Sequence, residues 1–470
     1  MKEIPNLNRS SACSRISGLL FSRRILRRLF IGIAALITFI ALVYAEENWR
    51  GKRAWQQYKA RMAAMGEVSD WSSFLPTPVP DEQNIFKAPK MSEWFLDQRA
   101  IYEAPLEHPI TNDFARRLIS DRSTIEITNV SEAASYLAWS EQFQPDFDFI
   151  AAALKRPYAR IMDDYSHPFL IELPNSVTGR EVIRTLEQRA KCHLLVSQTD
   201  KAWQELSLMN ELRRLVDGQG NFITTEGDWM LRGIINHSLP VIARGIELHA
   251  WREPQLLVLQ DLLKNSDVIA RHAHALRCAR ALLFSSVETG ELLRAQRMAA
   301  GNSLWIAFKQ HPEVLLLLLA PHGVLEQMFI RKSEDFQRMI DVFSPTNGIV
   351  RPGKVEQASA WWRRAQEGTP ALLRLQTLIN EGQIACALER YRLSRGAYPE
   401  TLDALIPGFI PQLPRDIING APLKYHRTEN GNFLLYSIGW NERDEGGKDV
   451  SEPSHPASLK NGDWAWISRP

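Results

Sequence analysis

The sequence predicts a mainly α-helical protein with a single N-terminal transmembrane helix, an α-helical body and a small α+β module at the C-terminus. Three observations lead to this prediction. Residues 29–45 form an uncharged apolar run, apolar residues recur at helical spacing between residues 112 and 395, and short strand-like runs follow residue 420. The predicted segments are a basic cytoplasmic tail (1–28), the anchor (29–45), a juxtamembrane helix and proline-rich linker (46–90), the helical body (110–343) and the C-terminal module (369–470).

The apolar run at residues 29–45 is close to the minimum length that crosses a hydrocarbon layer of about 30 Å. Arg23, Arg24, Arg27 and Arg28 precede it, and basic residues stay on the cytoplasmic side of a span. This predicts a single-pass protein of the bacterial inner membrane with its C-terminal bulk in the periplasm. The alternative is a cleaved signal peptide, because residues 43–45 fit the small-x-small cleavage pattern. We favour the anchor, since signal-peptide apolar regions are usually shorter.

Residues 46–67 are predicted to continue the anchor as a helix. Trp49, Trp55 and Tyr58 suit the headgroup layer, and an amphipathic spacer helix explains them equally well. Four prolines between residues 74 and 89 then predict an extended linker. The segment EENWRGKRAW, followed by W-x-x-F-x-P-x-P-V-P-D-E-Q-N, resembles the opening of a widespread group of membrane-anchored bacterial proteins. That resemblance supports the layout and implies no function.

The helical body is predicted from eight segments with 3.6-residue periodicity between residues 131 and 343. Thr199 and Asp267 are start signals, and Pro157 and Pro240 are expected to kink or split their helices. Residues 179–216 resemble one tetratricopeptide-type hairpin. Because a strict 34-residue repeat is missing from the sequence, we predict antiparallel hairpins, with a degenerate repeat array as the alternative.

Charge and motif content limit the function classes. The formal net charge is +2, but the first 28 residues are strongly basic, so the rest of the chain is slightly acidic. This distribution argues against nucleic acid as a partner. The sequence has no G-x-S-x-G elbow, no phosphate-binding loop and no H-E-x-x-H pair, and His272 and His274 are wrongly spaced for a helical metal pair. We therefore favour a binding or scaffolding protein over the alternative, an envelope hydrolase with an active site in the helical body.

The C-terminal module contains a recognisable order of motifs. A long helix leads to Arg-Gly-Ala-Tyr-Pro at 395–399, Leu-Pro-Arg-Asp at 413–416, a G-x-P-x-x-Y strand at 420–425, and Tyr-Ser-Ile-Gly at 436–439 followed by Gly446-Gly447. This order resembles the soluble domain of the major pseudopilins of type II secretion. The resemblance implies a small sheet packed on the helix. Ile417 replaces the proline usual in the family and the prepilin segment is missing, so it implies the fold without the filament-assembly role.

The resemblance also implies a calcium ion (Ca2+) in the final loop, residues 436–463. Calcium binds six to eight hard oxygen ligands, which this acidic loop can supply. The candidate ligands are Ser437, Asn441, Asp444, Asp449 and Asp463. The alternative is the same fold without metal, because acidic loops are usually solvated and Arg443 and Lys448 dilute the charge. The partners expected are the membrane, through one N-terminal helix, and other envelope proteins.

Overall fold

The computed structural model describes residues 23–68, 70–100, 112–119, 127–165, 171–217, 225–290, 320–360, 363–449 and 458–466. The described chain is mainly helical, with one long apolar N-terminal helix and a small antiparallel sheet. The helices are α1 (Arg23–Ala64), α2 (Met91–Phe95), α3 (Asp113–Leu118), α4 (Val130–Ser140), α5 (Gln144–Ala153), α6 (Ser176–Leu195), α7 (Thr199–Glu211), α8 (Arg214–Asp217), α9 (Thr225–Glu247), α10 (Glu253–Lys264), α11 (Val268–Thr289), α12 (His322–Phe343), α13 (Pro352–Ser359) and α14 (Arg363–Arg395). The strands are β1 (Leu96–Ala100), β2 (Glu172–Pro174), β3 (Lys424–Arg427), β4 (Phe433–Ser437) and β5 (Trp464–Ala465).

The chain divides into two compact units. One contains Met1–Glu67 and Ser303–Arg331, and the other contains Val68–Asn302 and Lys332–Pro470. Most of the predicted helical body and the whole C-terminal module therefore share the second unit, whereas residues 303–331 of the predicted body belong to the first. Most of the predicted basic tail lies outside the described residues, which begin at Arg23.

The first unit is built on α1. Its apolar half is long and apolar enough to cross a membrane and is not buried by the rest of the protein. The half beyond residue 46 is different, because Trp55, Tyr58 and Met62 are buried at helical spacing. Trp49 is 63% exposed, so of the three aromatic residues expected at the headgroup layer only Trp49 faces outward here.

The helical body of the second unit contains the hairpin expected from residues 179–216. It is formed by α6 and α7, and α6 also packs against α4 and α9. Asn175 caps α6 by accepting from the backbone N–H groups of Val177 and Thr178. A buried ion pair joins the two helices, with Arg189 Nε 2.7 Å from Glu205 Oε1.

The two prolines expected to kink or split helices of the body behave differently. Helix α5 ends at Ala153, four residues before Pro157, which disfavours its continuation. Pro240 instead lies inside α9 without ending it. A short antiparallel pair, β1 with β2, differs from the sequence prediction, since three to five residues are too few to show a period-2 pattern.

Helix α14 is the central element of the second unit. It packs against α9, α10, α11 and α13 on the body side and against β4 and β5 on the other. Its middle is buried all round, since the five residues 384–388 are all fully buried. The helix runs from Arg363, so it begins before the predicted module boundary at residue 369, and Pro370 lies inside it. The C-terminal module is thus fused to the body through one shared helix.

Candidate functional site

The candidate loop connects two strands of the C-terminal sheet, whose order is β3-β4-β5. Strands β3 and β4 form an antiparallel hairpin with Lys424 opposite Tyr436, and Ser437 of β4 pairs with Trp464 of β5. The residues between Ser437 and Trp464 therefore leave and return at one end of the sheet. Residues 450–457 of this excursion lie outside the described part of the chain.

Asp463 closes the loop with its carboxylate. Oδ2 accepts hydrogen bonds from the backbone N–H groups of Glu445 at 3.0 Å and Gly447 at 2.7 Å. Gly446 and Gly447 both have positive φ, which turns these N–H groups inward. Burial raises the pKa of Asp463, and the two amides oppose that shift. We call this arrangement, made by Asp463 with residues 445–447, the Asp463 clasp.

Ser437 is held by a second buried carboxylate, Asp416 of the Leu-Pro-Arg-Asp segment. Ser437 Oγ donates to Asp416 Oδ2 at 2.8 Å and accepts from the N–H of Gly439 at 3.2 Å. The other oxygen of Asp416 accepts from the N–H of Ile418 at 2.9 Å. This contact fixes the segment before β3 against the end of β4.

The other three predicted ligands have separate partners. Asn441 Nδ2 donates to Glu445 Oε1 at 3.0 Å, and Asp449 Oδ2 lies 2.9 Å from Arg374 Nη2 on α14. Asp444 accepts from the Gly446 N–H and the Tyr436 hydroxyl, both at 3.1 Å, and these two bonds lower its pKa.

The five predicted ligands thus lie at one end of the module, and the side chain of each bonds to a different group of the protein. Within the described ranges, no group of three or more His, Cys, Asp or Glu side chains is arranged to hold a metal ion. The acidic loop is therefore closed by its own backbone amides in this structure. Calcium binding stays a prediction from the resemblance.

A buried carboxylate that sequence reasoning missed lies on α14 beneath this loop. Glu381 is fully buried, and no hydrogen bond of full strength reaches its side-chain oxygens within the described residues, although the backbone N–H of Ser437 lies close enough to favour the charged form weakly. Burial raises the pKa of Glu381 well above its usual value, Arg374 opposes the shift, and Asp416 and Asp449 reinforce it. The only sequence signal was its position between Leu378 and Ile384, on a helix whose apolar face was already evident.

Another buried carboxylate, Glu389, connects the Arg-Gly-Ala-Tyr-Pro segment to the helical body. The Tyr398 hydroxyl donates to Glu389 Oε2 at 2.7 Å, and Arg392 binds both carboxylate oxygens at 2.7 and 2.8 Å. His249, just beyond the end of α9, places Nδ1 3.0 Å from Glu389 Oε1. Burial raises the pKa of Tyr398, and the Glu389 charge adds to the shift.

The two histidines that stand two residues apart on α11 have different neighbours. His272 Nδ1 lies 2.8 Å from Asp228 Oδ2 on α9, and its ring meets the edge of Phe343. His274 instead packs beside the ring of Phe74. Burial raises the pKa of Asp228, but the His272 hydrogen bond and the Arg232 charge outweigh it, so the pKa is lowered.

Another feature is the hydrogen-bonded node around Arg390 of α14. Arg390 binds Glu253 Oε1 at 2.7 Å, Gln260 Oε1 at 2.9 Å and the Phe409 carbonyl at 2.7 Å. The node therefore joins α10, the end of α14 and the chain before β3. Large apolar side chains that are 41–46% exposed lie within about one helical turn or a few residues of these contacts along the chain: Leu257, Leu393 and Ile406. We call these three residues the Arg390 patch.

Comparison with known proteins assigns no family to this arrangement. The pseudopilin resemblance therefore depends on the order of motifs in the sequence alone. No protein-family model matches the chain, and no curated protein or solved structure is significantly similar to it.

Proposed function

We propose that the protein is a single-pass protein of the bacterial inner membrane that binds or scaffolds other envelope proteins from the periplasmic side. Support for the anchor comes from the apolar run of α1 over residues 29–45, which is unburied and follows four arginines at the start of the same helix. Support for the binding role comes from the second unit. There, a pseudopilin-like module and a helical body share α14, so a partner would meet a rigid surface.

The Arg390 patch is the observation that favours protein binding most directly. Single exposed leucines are ordinary on protein surfaces, whereas clustered apolar side chains rimmed by polar groups mark interaction sites. Here the three apolar residues flank, along the chain, a partly buried node in which Arg390 and Gln260 both donate to the Phe409 carbonyl. The partner class that fits is another envelope protein with an apolar contact surface.

The test is site-specific photo-crosslinking in intact cells. A photoreactive residue at Leu393 should form an adduct with another envelope protein, and Leu257→Glu should abolish that adduct while the protein stays in the membrane fraction. A probe at Val258, which is exposed but lies about 200° around α10 from Gln260, serves as the matched control and should give no adduct. Equal adducts at both probe positions, or an adduct insensitive to Leu257→Glu, would remove the patch as the binding surface.

Calcium is retained as a proposed ligand of the loop, supported by the resemblance and by the acidic residues gathered there. The full chain should melt at a higher temperature in millimolar calcium than in chelator, because a ligand that binds only the folded state stabilises it. Asp449→Ala with Asp463→Ala should abolish the increase. An unchanged melting temperature in the parent protein would leave the Asp463 clasp as a metal-free turn.

The second candidate function is an envelope hydrolase, and the His272–Asp228 pair is the observation that favours it. A buried carboxylate that orients an imidazole through Nδ1 is how many enzymes hold a general base. His272→Ala should then abolish hydrolysis of cell-wall or ester substrates. His237→Ala is the matched control, since His237 is paired in the same way with Glu187 at 2.6 Å. Hydrolysis absent from the parent protein would exclude this candidate for those substrates.

A further inference from the structure

The position of a residue along α1 gives its expected depth in the membrane. The 42 residues of α1 run without a break, at a rise of about 1.5 Å each. A hydrocarbon core of about 30 Å centred on residues 29–45 ends close to Glu47. The headgroup layer beyond it is several ångströms thick, which corresponds to about one turn of helix. That layer therefore spans the part of α1 from Glu47 to Gly51.

The first turn of α12 contacts α1 at this same level. The backbone N–H of Gly323 donates to Asn48 Oδ1 at 2.9 Å, and Gln327 Nε2 donates to Glu47 Oε2 at 3.3 Å. Two glycines make the close approach possible. A Cβ on Gly323 would lie 1.9 Å from the Glu47 carbonyl oxygen, and a Cβ on Gly51 would lie 2.1 Å from Gly323 Cα.

We propose that this first turn, residues 322–327, lies in the headgroup layer of the bilayer beside α1, so that the chain meets the membrane a second time. The inference rests on the proposed anchor, and its contacts all lie within the first unit. The bilayer surface is the occupant that fits. The side chains exposed or partly exposed at this depth include His322, Val324 and the basic Arg50, which suit a layer of polar and charged headgroups.

The consequence is that α1 does not leave the membrane as a bare stalk. A second helix is fixed to it by a backbone-to-backbone contact that larger side chains would prevent. The pair would resist tilting of the outer part of α1 more than one helix alone. The first unit is thereby held at the membrane surface.

The test measures the depth of single spin labels in the full chain, reconstituted in phosphatidylethanolamine–phosphatidylglycerol vesicles. Cys13 is replaced by serine. The buried thiols of Cys192, Cys278 and Cys386 should stay unlabelled, and burial raises the pKa of Cys192 and Cys386 to about 12. Labels are placed at His322, at Trp49 as the headgroup reference, and at the exposed Met65. Met65 lies about 30 Å beyond Ala45 along the chain if helical rise is assumed.

The depth of each label is measured as the ratio of the relaxation caused by dissolved oxygen to the relaxation caused by a water-soluble paramagnetic reagent. We expect this ratio at His322 to match that at Trp49 within about twofold and to exceed that at Met65 severalfold. Gly51→Leu should lower the His322 ratio to the Met65 value and leave Trp49 unchanged. Gly32→Leu is the matched control, because a Cβ on Gly32 meets nothing within 4 Å. A water-like value at His322 with a membrane value at Trp49 overturns this inference alone. Water-like values at both sites overturn the anchor as well.

Discussion

Glu381 is the residue whose environment makes the sharpest prediction. It is fully buried on α14, its oxygens receive at most a weak hydrogen bond from the Ser437 N–H within the described residues, and Asp416 and Asp449 lie near enough to disfavour its charge. The folded protein therefore holds this carboxyl in the neutral form over a wider pH range than the unfolded chain does. Burial is the main cause of the raised pKa of Glu381, and the two neighbouring carboxylates add to it.

The sign of the pH dependence follows from the raised pKa. Below about pH 4.3 the carboxyl is neutral in the folded and the unfolded chain alike. Above that pH the unfolded chain releases the proton first, so the free energy of unfolding falls by about 1.4 kcal/mol per pH unit until the folded-state pKa is reached. Glu381→Gln should therefore raise the melting temperature at pH 8 and change it little at pH 4.

Thermal melts of Glu381→Gln at the two pH values check this prediction. Glu429→Gln, an exposed change in the same module, is the control and should leave the melting temperature unaltered at both. A Glu381→Gln protein that is less stable than the parent at pH 8 would show that the ionised carboxylate contributes to folding.

Tyr398→Phe tests the Glu389 network at the same scale. The change removes the hydroxyl that donates to Glu389 Oε2 and leaves the aromatic ring in place. A hydrogen bond to a buried charged group contributes about 1.5–3 kcal/mol, so the melting temperature should fall measurably. Tyr425→Phe, which removes a half-buried bond to the Pro399 carbonyl, should cost less. If the melting temperature falls equally in the two variants, the hydrogen bond from Tyr398 to Glu389 contributes no more to stability than an ordinary one.

At the scale of elements, the Asp463 clasp is what holds the acidic loop to the sheet. Asp463→Asn weakens the acceptor for two backbone N–H groups, so the free energy of unfolding should fall by about 1–3 kcal/mol. The loosened loop should also become more sensitive to trypsin at the exposed Arg443 and Lys448. Limited proteolysis followed by mass spectrometry measures this directly.

Asp444→Asn is the control for the clasp. Its carboxylate is solvent-exposed and contacts Tyr436, Gly446 and Lys424, and such surface contacts contribute little to stability. Its proteolysis pattern should match that of the parent protein. If both variants are cleaved equally, the loop is held by something other than Asp463.

Helix caps and long-range contacts show which interactions can be predicted from the sequence and which cannot. Asp267 was predictable as a helix start because its side chain caps the N–H of Ala270, an interaction within four residues. The partners of Asp449 and Asp463 were not predictable, because Arg374 is distant along the chain and two consecutive glycines admit many loop paths. Glu381 was missed for a related reason, since its burial depends on how the sheet covers α14.

At the scale of the whole molecule, composition and periodicity were sufficient for the coarse architecture. A long apolar helix and a predominantly helical chain follow from local pattern, and the structure confirms both. The sharing of α14 between body and module was not evident, because packing of one helix on two sides leaves no distinct periodicity. Nor was the contact between Gly51 and Gly323, which joins positions far apart in sequence.

The topology of the anchor is the central claim, and cysteine accessibility in intact spheroplasts tests it most directly. The native Cys13 precedes the apolar run, and Met65→Cys introduces a thiol at an exposed position after it. With a membrane-impermeant maleimide, we predict labelling of Cys13 only after lysis and labelling of the introduced thiol before it. Labelling of Cys13 in intact spheroplasts with protection at position 65 would contradict the account, as would release of a soluble protein that begins near Glu46.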